Sequence, residues 1–435
     1  MSGRIRLRLC FMMFLQFFIW GSWFVTMGSY LAATLHASGA QTALAYSTQS
    51  WGAIIAPFVV GLIADRYFNA ERLLGALHIA GAVLMYLLCS TGRFAVFYPC
   101  VLTYMILYMP TLALVNAVAF RQMQDPASQF AAVRVWGTVG WIVAGLLISY
   151  LFGWDAPQSM QAGLLRNTFL MGSIASAVLG VYSFTLPRTP PVRARGTVSA
   201  DERQLTGGLK HSAPATSGVS HYLDALTLLR NRNFVVFFAA SILICIPLAF
   251  YYQDANQFLT EIQVAHATGK QTLGQVSEVL FMLAMPLFLN RFGMKATLLV
   301  GMLAWTVRYV LFATGNAHEL AFLLLVGIAL HGACYDFFFV SGQIYTDAKA
   351  GVRFKAAAQG LITLATYGLG MLIGFWAAGY IDDLYAVAGR HDWRAIWLYP
   401  AAFAAVVFVG FAATFRNETL SQPDPAAASA LGGRT

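Results

Sequence analysis

A carboxylate lies inside a strongly apolar run of the chain, in the stretch HGACYDFFFVSG, residues 331–342. Asp336 is surrounded there by aromatic residues, and His331 and Tyr335 are one helical turn apart, with Asp336 about 100° further round the helix. A charged side chain in an apolar span costs about 2.5–3.5 kcal/mol on insertion scales and usually marks a function. The pattern predicts a site for a proton or a polar solute, unless Asp336 is kept protonated for packing alone.

A second carboxylate lies in the stretch TLGQVSEVLF, where Gln275 and Glu278 are one helical turn apart on the same face. An amide and a carboxylate in this arrangement can hold a polar ligand from two directions or bind a proton. The alternative is an ion pair between Glu278 and Arg308 of a neighbouring apolar stretch. A structural role is the interpretation we favour for Arg308 itself.

A cation, a hydroxyl and an indole share one helical face in the stretch RVWGTVGW. Arg134, Thr138 and Trp141 follow the spacing i, i+4, i+7, which predicts a stripe facing a cavity. The alternative is that Arg134 only extends its head group to a nearby water interface.

Two further stretches carry polar side chains among aromatic ones. Tyr252, Gln253 and Asn256 lie in AFYYQDANQFL, which is also compatible with the point where a helix leaves the membrane. Gln16 lies in LQFFIWGSW, where packing through small residues is the alternative. Rings, amides and carboxylates from several helices suit a flat, uncharged solute that is rich in hydroxyl groups.

The elements that position these residues are membrane helices. The chain of 435 residues is 59% hydrophobic and only 10% charged, with a mean hydropathy of +0.65. Ordinary globular proteins contain about 25% charged residues. Twelve apolar stretches, each long enough to cross a hydrocarbon layer of about 30 Å, predict a polytopic all-α membrane protein.

The predicted spans fall into two sets of six, which predicts two six-helix halves. The N-terminal bundle covers residues 1–186 and the C-terminal bundle covers residues 233–415. Residues 187–232 are expected to form a flexible linker and residues 416–435 a disordered tail. The predicted spans are 8–32, 43–64, 73–92, 94–120, 131–152, 164–186, 233–259, 272–290, 295–314, 319–346, 354–380 and 393–415.

The distribution of basic residues predicts the orientation. If both termini are cytoplasmic, most of the 27 Lys and Arg residues fall on the inner side, as the positive-inside rule requires. This bias accounts for the net charge of +9 through attraction to anionic lipid, so no nucleic-acid partner is expected. The first apolar run is too long for a signal peptide and is expected to be a retained helix.

Enzyme chemistry is not indicated. The sequence contains no HExxH, GxSxG or Walker-type motif, and the five cysteines are dispersed without CxxC spacing. We therefore expect neither a catalytic centre, a metal site nor a cofactor.

Two loop motifs point to a fold family. The stretch GLIADRYFNAER places Gly61, Asp65 and Arg66 between the second and third spans, and NRFGMK is a reduced copy between spans eight and nine. This pair resembles the gating loops of the major facilitator superfamily, in which two six-helix halves move around a midplane site.

At a finer level the chain resembles the nucleoside:proton symporter family of that superfamily, from about Phe14 to Phe415. The resemblance is carried by LQFFIWGSW, YMPTLALVNAV, RVWGTVGW, GQVSEVLF, WTVRYVLFA and YDFFFVSG, in that order. It implies a multi-pass carrier of the bacterial cytoplasmic membrane that imports nucleosides with protons and works as a monomer. It assigns substrate contact to the residues singled out above, namely Arg134, Thr138, Trp141, Gln275, Glu278, His331, Tyr335 and Asp336.

The main hypothesis is therefore a proton-coupled nucleoside importer, in which Asp336 or Glu278 carries the proton. A related carrier for a sugar or glycoside remains open, because the same rings and carboxylates bind pyranosides. A membrane sensor without transport is the alternative from another class, although the linker and tail are too short to form a signalling domain.

Overall fold

The computed structural model describes residues 2–59, 68–124, 126–190, 225–387 and 390–418. The proposed gating-loop residues Gly61, Asp65 and Arg66 lie outside the described residues. So do most of the linker and tail.

The N-terminal half, here the described residues before residue 191, is entirely helical. Its longest helices match the apolar stretches of the sequence, and the fifth span ends in a π-helical segment, Leu147–Leu151. The helices are α1 Gly3–Trp23, α2 Met27–Leu35, α3 Gly39–Val59, α4 Ala70–Ser90, α5 Phe94–Arg121, α6 Pro126–Leu146, α7 Pro157–Gln161 and α8 Arg166–Ser183.

The C-terminal half, here the described residues after residue 224, repeats this pattern. It adds two π-helical segments, Tyr335–Val340 and Leu364–Gly370, and a small antiparallel hairpin. Its elements are a 3-10 helix Leu226–Arg230, α9 Arg232–Glu261, α10 Ala267–Thr314, α11 Ala321–Cys334, α12 Ser341–Thr363, α13 Met371–Leu384, β1 Ala386–Val387, β2 Arg390–His391 and α14 Trp393–Thr414.

Side-chain caps fix the start of several helices. Ser2 accepts from the backbone N–H of Ile5 at the start of α1, and Asn231 does the same for Phe234 at the start of α9. Such caps satisfy one of the four N–H groups that a helix leaves unpaired at its first turn.

Nine stretches of the described helices are long and apolar enough to cross a membrane, judged by length and composition. One of them, α10, contains two predicted spans in a single 48-residue stretch. The break between these two spans is at Gly293, whose φ of 78° and ψ of 176° are not helical. Glycine suits this position because a residue with a Cβ rarely adopts a positive φ. The helices α3 and α8 coincide with the two remaining predicted spans.

One predicted loop is absent. The sequence suggests a break between the spans that end at residue 346 and begin at residue 354, but α12 runs through this region from Ser341 to Thr363 without interruption. Residues 347–353 contain no proline, and their Ala, Lys and Arg residues are good helix formers, so the helix continues in spite of Gly351.

The two halves are joined by reciprocal helix caps at the end of the bundle away from the chain termini. Asp383, in the last turn of α13, accepts hydrogen bonds from the backbone N–H groups of Gly39 and Ala40 at the start of α3, at 2.6 and 2.8 Å. Asp155, which follows the fifth span, accepts from the N–H of Thr268 at the start of α10, at 3.0 Å. Each carboxylate meets the positive end of a helix dipole in the other half.

Further hydrogen bonds between the halves lie at the same end. The Ser149 hydroxyl accepts from the Gly269 N–H at 2.7 Å, and the Ser29 hydroxyl donates to the Asn256 side-chain oxygen at 2.7 Å. We call this end, defined by the contacts of Asp155, Asp383 and Asn256 with the opposite half, the closed end.

The hairpin is fastened to the end of α9 by an ion pair. His391 lies 2.8 Å from the Glu261 carboxylate through Nδ1, and its backbone N–H also donates to Glu261 at 2.7 Å. Burial alone would lower the pKa of His391, but the hydrogen bond and charge of Glu261 outweigh it and raise the pKa above the ordinary 6.5.

This pair predicts pH-dependent stability. A histidine whose pKa is raised on folding stabilises the native state fully below its ordinary pKa of about 6.5, and the gain is lost as the pH rises through the raised value. His391→Gln is therefore expected to lower the thermal midpoint of the purified protein more at pH 5.5 than at pH 8.5, by an energy on the order of 0.5–1 kcal/mol. His318→Gln, an exposed histidine of another loop, is the control. Equal destabilisation at both pH values would contradict the pairing.

Candidate functional site

A cavity lies between the two halves near the middle of the bundle, and its volume is about 120 Å³. A single water needs about 10–15 Å³ in this measure, so the cavity has room for several waters or a polar solute. Its wall consists of Phe17, Trp20, Phe24, Gln49, Arg134, Gly137, Thr138, Trp141, Tyr252, Gln275, Glu278, His331, Tyr335 and Tyr367.

The wall contains nearly all the residues that the sequence analysis singled out as substrate-binding. They come from three distant parts of the chain: the fifth span, the eighth span and the tenth span. Those that reach the wall are Arg134, Thr138, Trp141, Gln275, Glu278, His331 and Tyr335, and Tyr252 of the weaker set also does.

Arg134 is held in the wall by α1. Its guanidinium carbon lies 4.0 Å from the centre of the Phe17 ring, a cation–π distance. Gly137 makes this contact possible, because a Cβ at that position would lie 2.6 Å from the Phe17 ring and 2.7 Å from the Arg134 Nη1. The cation therefore faces the cavity and does not extend along the helix to an interface.

Aromatic rings form most of the rest of the wall. Trp20 and Trp141 meet edge to face with centroids 5.7 Å apart, and Phe24 and Tyr252 do so at 6.0 Å. On the C-terminal side the hydroxyls of Tyr335 and Tyr367 are 3.2 Å apart, each carried by a π-helical segment. A planar ring of a solute can stack or meet an edge here, while the phenols supply hydrogen bonds.

Glu278 is linked to Arg308 through a histidine. The Nε2 of His331 lies 2.9 Å from the Glu278 carboxylate, and its Nδ1 lies 3.1 Å from the Arg308 Nη1. The guanidinium of Arg308 also stacks 3.3 Å from the ring centre of Tyr251. The direct Glu278–Arg308 ion pair that the sequence left open is thus replaced by a chain in which His331 is the middle member.

Asp336 does not reach the cavity wall. Its side chain is fully buried, with no exposed surface, and both carboxyl oxygens lack a hydrogen-bond partner among the described residues. The π-helical turn that begins at Tyr335 places Tyr335 on the wall and turns Asp336 away from it. The expectation of substrate contact by Asp336 does not agree with this placement.

Gln16 is also turned away from the cavity. Its amide nitrogen donates to the Thr111 hydroxyl at 2.7 Å, and its oxygen lies 2.9 Å from the His78 Nε2. These partners belong to α5 and α4, so the amide is used inside the N-terminal half. The expectation that Gln16 lines the cavity is therefore wrong, because a face toward these helices satisfies its polar atoms.

Gln253 and Asn256 belong to the closed end and not to the cavity wall. Gln253 donates to the Asp382 carboxylate at 3.0 Å, and Asn256 donates to Gln271 at 2.6 Å while accepting from Ser29. Both were expected in the cavity. Their neighbour Tyr252 does line it, because α9 passes from the cavity into the closed end within one turn.

Several wall residues were not predicted. Phe17, Trp20 and Phe24 follow the spacing i, i+3, i+7, which marks one face of α1 and could have indicated them. Gln49 is buried and its amide oxygen lacks a partner among the described residues, which only the structure reveals. Tyr367 has no distinctive signal in the sequence.

The described residues contain no group of three or more His, Cys, Asp and Glu side chains that could hold a metal ion. The cavity wall offers side chains that can recognise a solute and bind a proton. The wall contains one carboxylate, one guanidinium, one amide from each half and several aromatic rings. The polar residues are Glu278, Arg134, Gln49 and Gln275.

Comparisons with known proteins identify the family of the chain. The family model described as "Nucleoside H+ symporter" matches residues 3–420. YegT of Escherichia coli (strain K12) is 41% identical over 421 residues, which cover 94% of this chain and 93% of YegT. The xanthosine permease of the same organism is 33% identical over 426 residues, covering 94% and 96% of the two chains.

A solved structure shows the same architecture. The crystal structure of the nucleoside transporter NupG superposes with a TM-score of 0.81 at 29% identity, covering 95% of this chain and all of that one. The predicted fold, an all-α membrane protein of the major facilitator type, is thereby confirmed, and the predicted twelve membrane helices are compatible with it. The protein is a transporter and not an enzyme. Because the family model covers nearly the whole chain, the protein belongs to the nucleoside H+ symporter family.

Proposed function

We propose that the cavity between the halves is where this protein binds a nucleoside and a proton, and that it imports both by alternating access. Proton-coupled nucleoside transport is the activity of the family to which the chain belongs. The observation that carries the assignment of the site is the convergence of Arg134, Gln275 and Glu278 with aromatic rings on one cavity. These residues come from helices that are far apart in the sequence.

The wall suits the two parts of a nucleoside. A nucleobase can stack on Trp141 or lie against Tyr252, where rings are already arranged edge to face. Ribose hydroxyls can donate to the Glu278 carboxylate and accept from amides such as Gln275. A carboxylate in a site with few waters gains strength as an acceptor, because the local dielectric constant is low.

The proton is assigned to Glu278, with Asp336 as the second candidate. The Glu278 side chain keeps 19% of its surface exposed at the wall, so a proton can reach it through the cavity. The Asp336 carboxyl has no partner among the described residues and lies behind the wall, so it can affect binding only indirectly.

The conformation fits one state of the transport cycle. With both termini in the cytoplasm, as the distribution of Lys and Arg predicts, the closed end faces the outside, which supports a state that is closed to the outside. The caps made by Asp383 and Asp155 then form the outer gate. We place the protein in the bacterial cytoplasmic membrane as a monomer in direct contact with lipid, with domain limits at residues 186 and 233.

The uptake assay that tests the site compares the wild-type protein with Glu278→Gln in cells lacking other nucleoside carriers. Labelled uridine and adenosine are supplied at about pH 5.5 and about pH 7.5, with and without a protonophore. Wild-type uptake should rise at the lower pH and collapse with the protonophore. Glu278→Gln should lower coupled uptake about tenfold or more, because it removes both an acceptor and the proton site.

Competition by unlabelled glucosides in the same assay separates nucleosides from sugars. Inhibition of uptake by glucosides and not by nucleosides would show that the cavity binds glycosides. Uptake that ignores both pH and protonophore, or full coupling in Glu278→Gln, would contradict the assignment of the proton to this residue.

A second prediction concerns the outer gate. Asp383→Asn combined with Asp155→Asn removes both charges from the reciprocal caps while leaving weaker acceptors, at a cost of roughly 0.3–1 kcal/mol each. The population with an open outer end should therefore increase severalfold. Spin labels at the exposed positions His36 and Ala386, one in each half, would report this change as a longer distance component.

Glu319→Gln is the matched control for these variants. Glu319 is an exposed carboxylate at the same end of the bundle and makes no hydrogen bond or ion pair with any described residue. It should leave the distance distribution unchanged. An unchanged distribution in the double variant would show that the caps do not hold the gate.

A further inference from the structure

A buried arginine next to the cavity has no carboxylate partner among the described residues. Arg308 has no exposed surface, and its Nε and Nη2 lack hydrogen-bond partners within the described part of the chain. Its remaining nitrogen, Nη1, is 3.1 Å from the Nδ1 of His331, and its guanidinium lies on the Tyr251 ring. The contact with His331 is thus its main directional interaction.

The direction of the hydrogen bonds fixes the tautomer of His331, that is, which ring nitrogen carries the proton. Arginine has five N–H donors and no acceptor, and it is not deprotonated in proteins. The Nδ1 of His331 must therefore accept from Arg308. A neutral imidazole carries one N–H, which then lies on Nε2 and donates to Glu278 at 2.9 Å.

We propose that Arg308 is a positioning residue that keeps His331 neutral in the Nε2–H form, so that a proton from the cavity is bound by Glu278 and not by the imidazole. Protonation of His331 would place an N–H on Nδ1, directly opposite the N–H of Arg308. It would also put a second cation beside a buried one. This inference rests on the proposed function, in which Glu278 takes up the coupled proton.

The exposed fraction of the side chain falls along the hydrogen bonds from Glu278 through His331 to Arg308. The Glu278 side chain is 19% exposed, the His331 side chain 3%, and Arg308 not at all, so the carboxylate is the member that the cavity water reaches. Of the charges next to His331, the Arg308 guanidinium opposes an imidazolium and the Glu278 carboxylate favours one, while Arg134 is a second cation near Glu278. Other titratable groups also face this chain of hydrogen bonds. They are Tyr251 and Tyr252 from α9, Tyr309 from α10, Cys334 from α11, and Tyr335 and Asp336 from the π-helical segment that follows α11.

The consequence for transport is that proton uptake neutralises a charge. A proton on Glu278 converts a carboxylate into a neutral acid, and Nε2–H can still donate to its carbonyl oxygen. A proton on His331 would instead create an ion pair with Glu278, which would hold the proton and oppose its release. Arg308 thus selects the first of these two outcomes.

Nitrogen NMR of histidine-labelled protein in lipid nanodiscs tests this directly, since nitrogen shifts distinguish the two neutral tautomers and the imidazolium. The chain has eight histidines, and His331→Gln identifies the signal of His331 by difference. In the wild-type protein His331 should remain in the Nε2–H form from about pH 7.5 down to about pH 5.5. In Arg308→Met it should become imidazolium at the lower pH.

Arg308→Lys retains a cation and an N–H donor and should keep the wild-type tautomer. Uptake should follow the NMR result: the ratio of uptake at about pH 5.5 to that at about pH 7.5 should fall toward one in Arg308→Met and recover in Arg308→Lys. An imidazolium or an Nδ1–H form in the wild-type protein at the lower pH would overturn the proposal. A neutral His331 in Arg308→Met would also overturn it.

The wild-type spectrum decides the tautomer even if Arg308→Met does not fold. The readout is also independent of transport. A neutral Nε2–H histidine combined with full coupling in Glu278→Gln would support the role of Arg308 while contradicting the assignment of the proton to Glu278.

Discussion

Ionisable side chains between apolar helices must find partners, because no bulk water is available to solvate them. In this protein one chain of hydrogen bonds at the cavity, from Glu278 through His331 to Arg308, gives partners to the Glu278 carboxylate and to one nitrogen of Arg308. These three residues belong to the eighth, tenth and ninth spans, so their hydrogen bonds also fix how these helices face one another. Arg134 differs from these residues: its guanidinium lies against the Phe17 ring at the cavity wall.

The closed end shows the internal symmetry of the fold at the level of single contacts. In each half a carboxylate at the end of the fifth span caps the second span of the other half, through Asp155 and Asp383. The two caps are equivalent in the pseudo-twofold arrangement that inverted or repeated halves produce. Because one cap belongs to each half, a motion that separates one pair also strains the other. Opening at this end is therefore expected to be concerted, with Ser29 and Asn256 released in the same step.

Sequence reasoning predicted the number of spans and most of the cavity wall for a simple physical reason. Polar residues such as Glu278 and Arg134 are costly in a membrane, so their presence in apolar stretches is informative. Sequence reasoning failed where neighbouring helices offset the cost of burying a polar group. Gln16 is also a polar residue in an apolar stretch, but its amide bonds with Thr111 and His78 and does not face the cavity. The same reasoning could not separate Asp336 from its neighbour Tyr335, since an ideal helical period does not include a π-helical turn. The aromatic part of the wall was under-predicted, because Phe17 and Tyr367 look like ordinary packing residues.

The π-helical turns have a consequence for how such a cavity can change. A π turn takes in one residue more than an α-helical path of the same rise, so the sequence positions beyond it are shifted by about 100° from an unbroken α-helical period. Tyr335 and Tyr367, whose hydroxyls meet, both lie in turns of this kind. Loss of a single residue from either turn would restore an α-helical turn and change the side chains within it, while the helix on both sides keeps its register. Within this architecture, insertion and deletion can therefore alter one turn of a binding pocket without reorienting the rest of the helix.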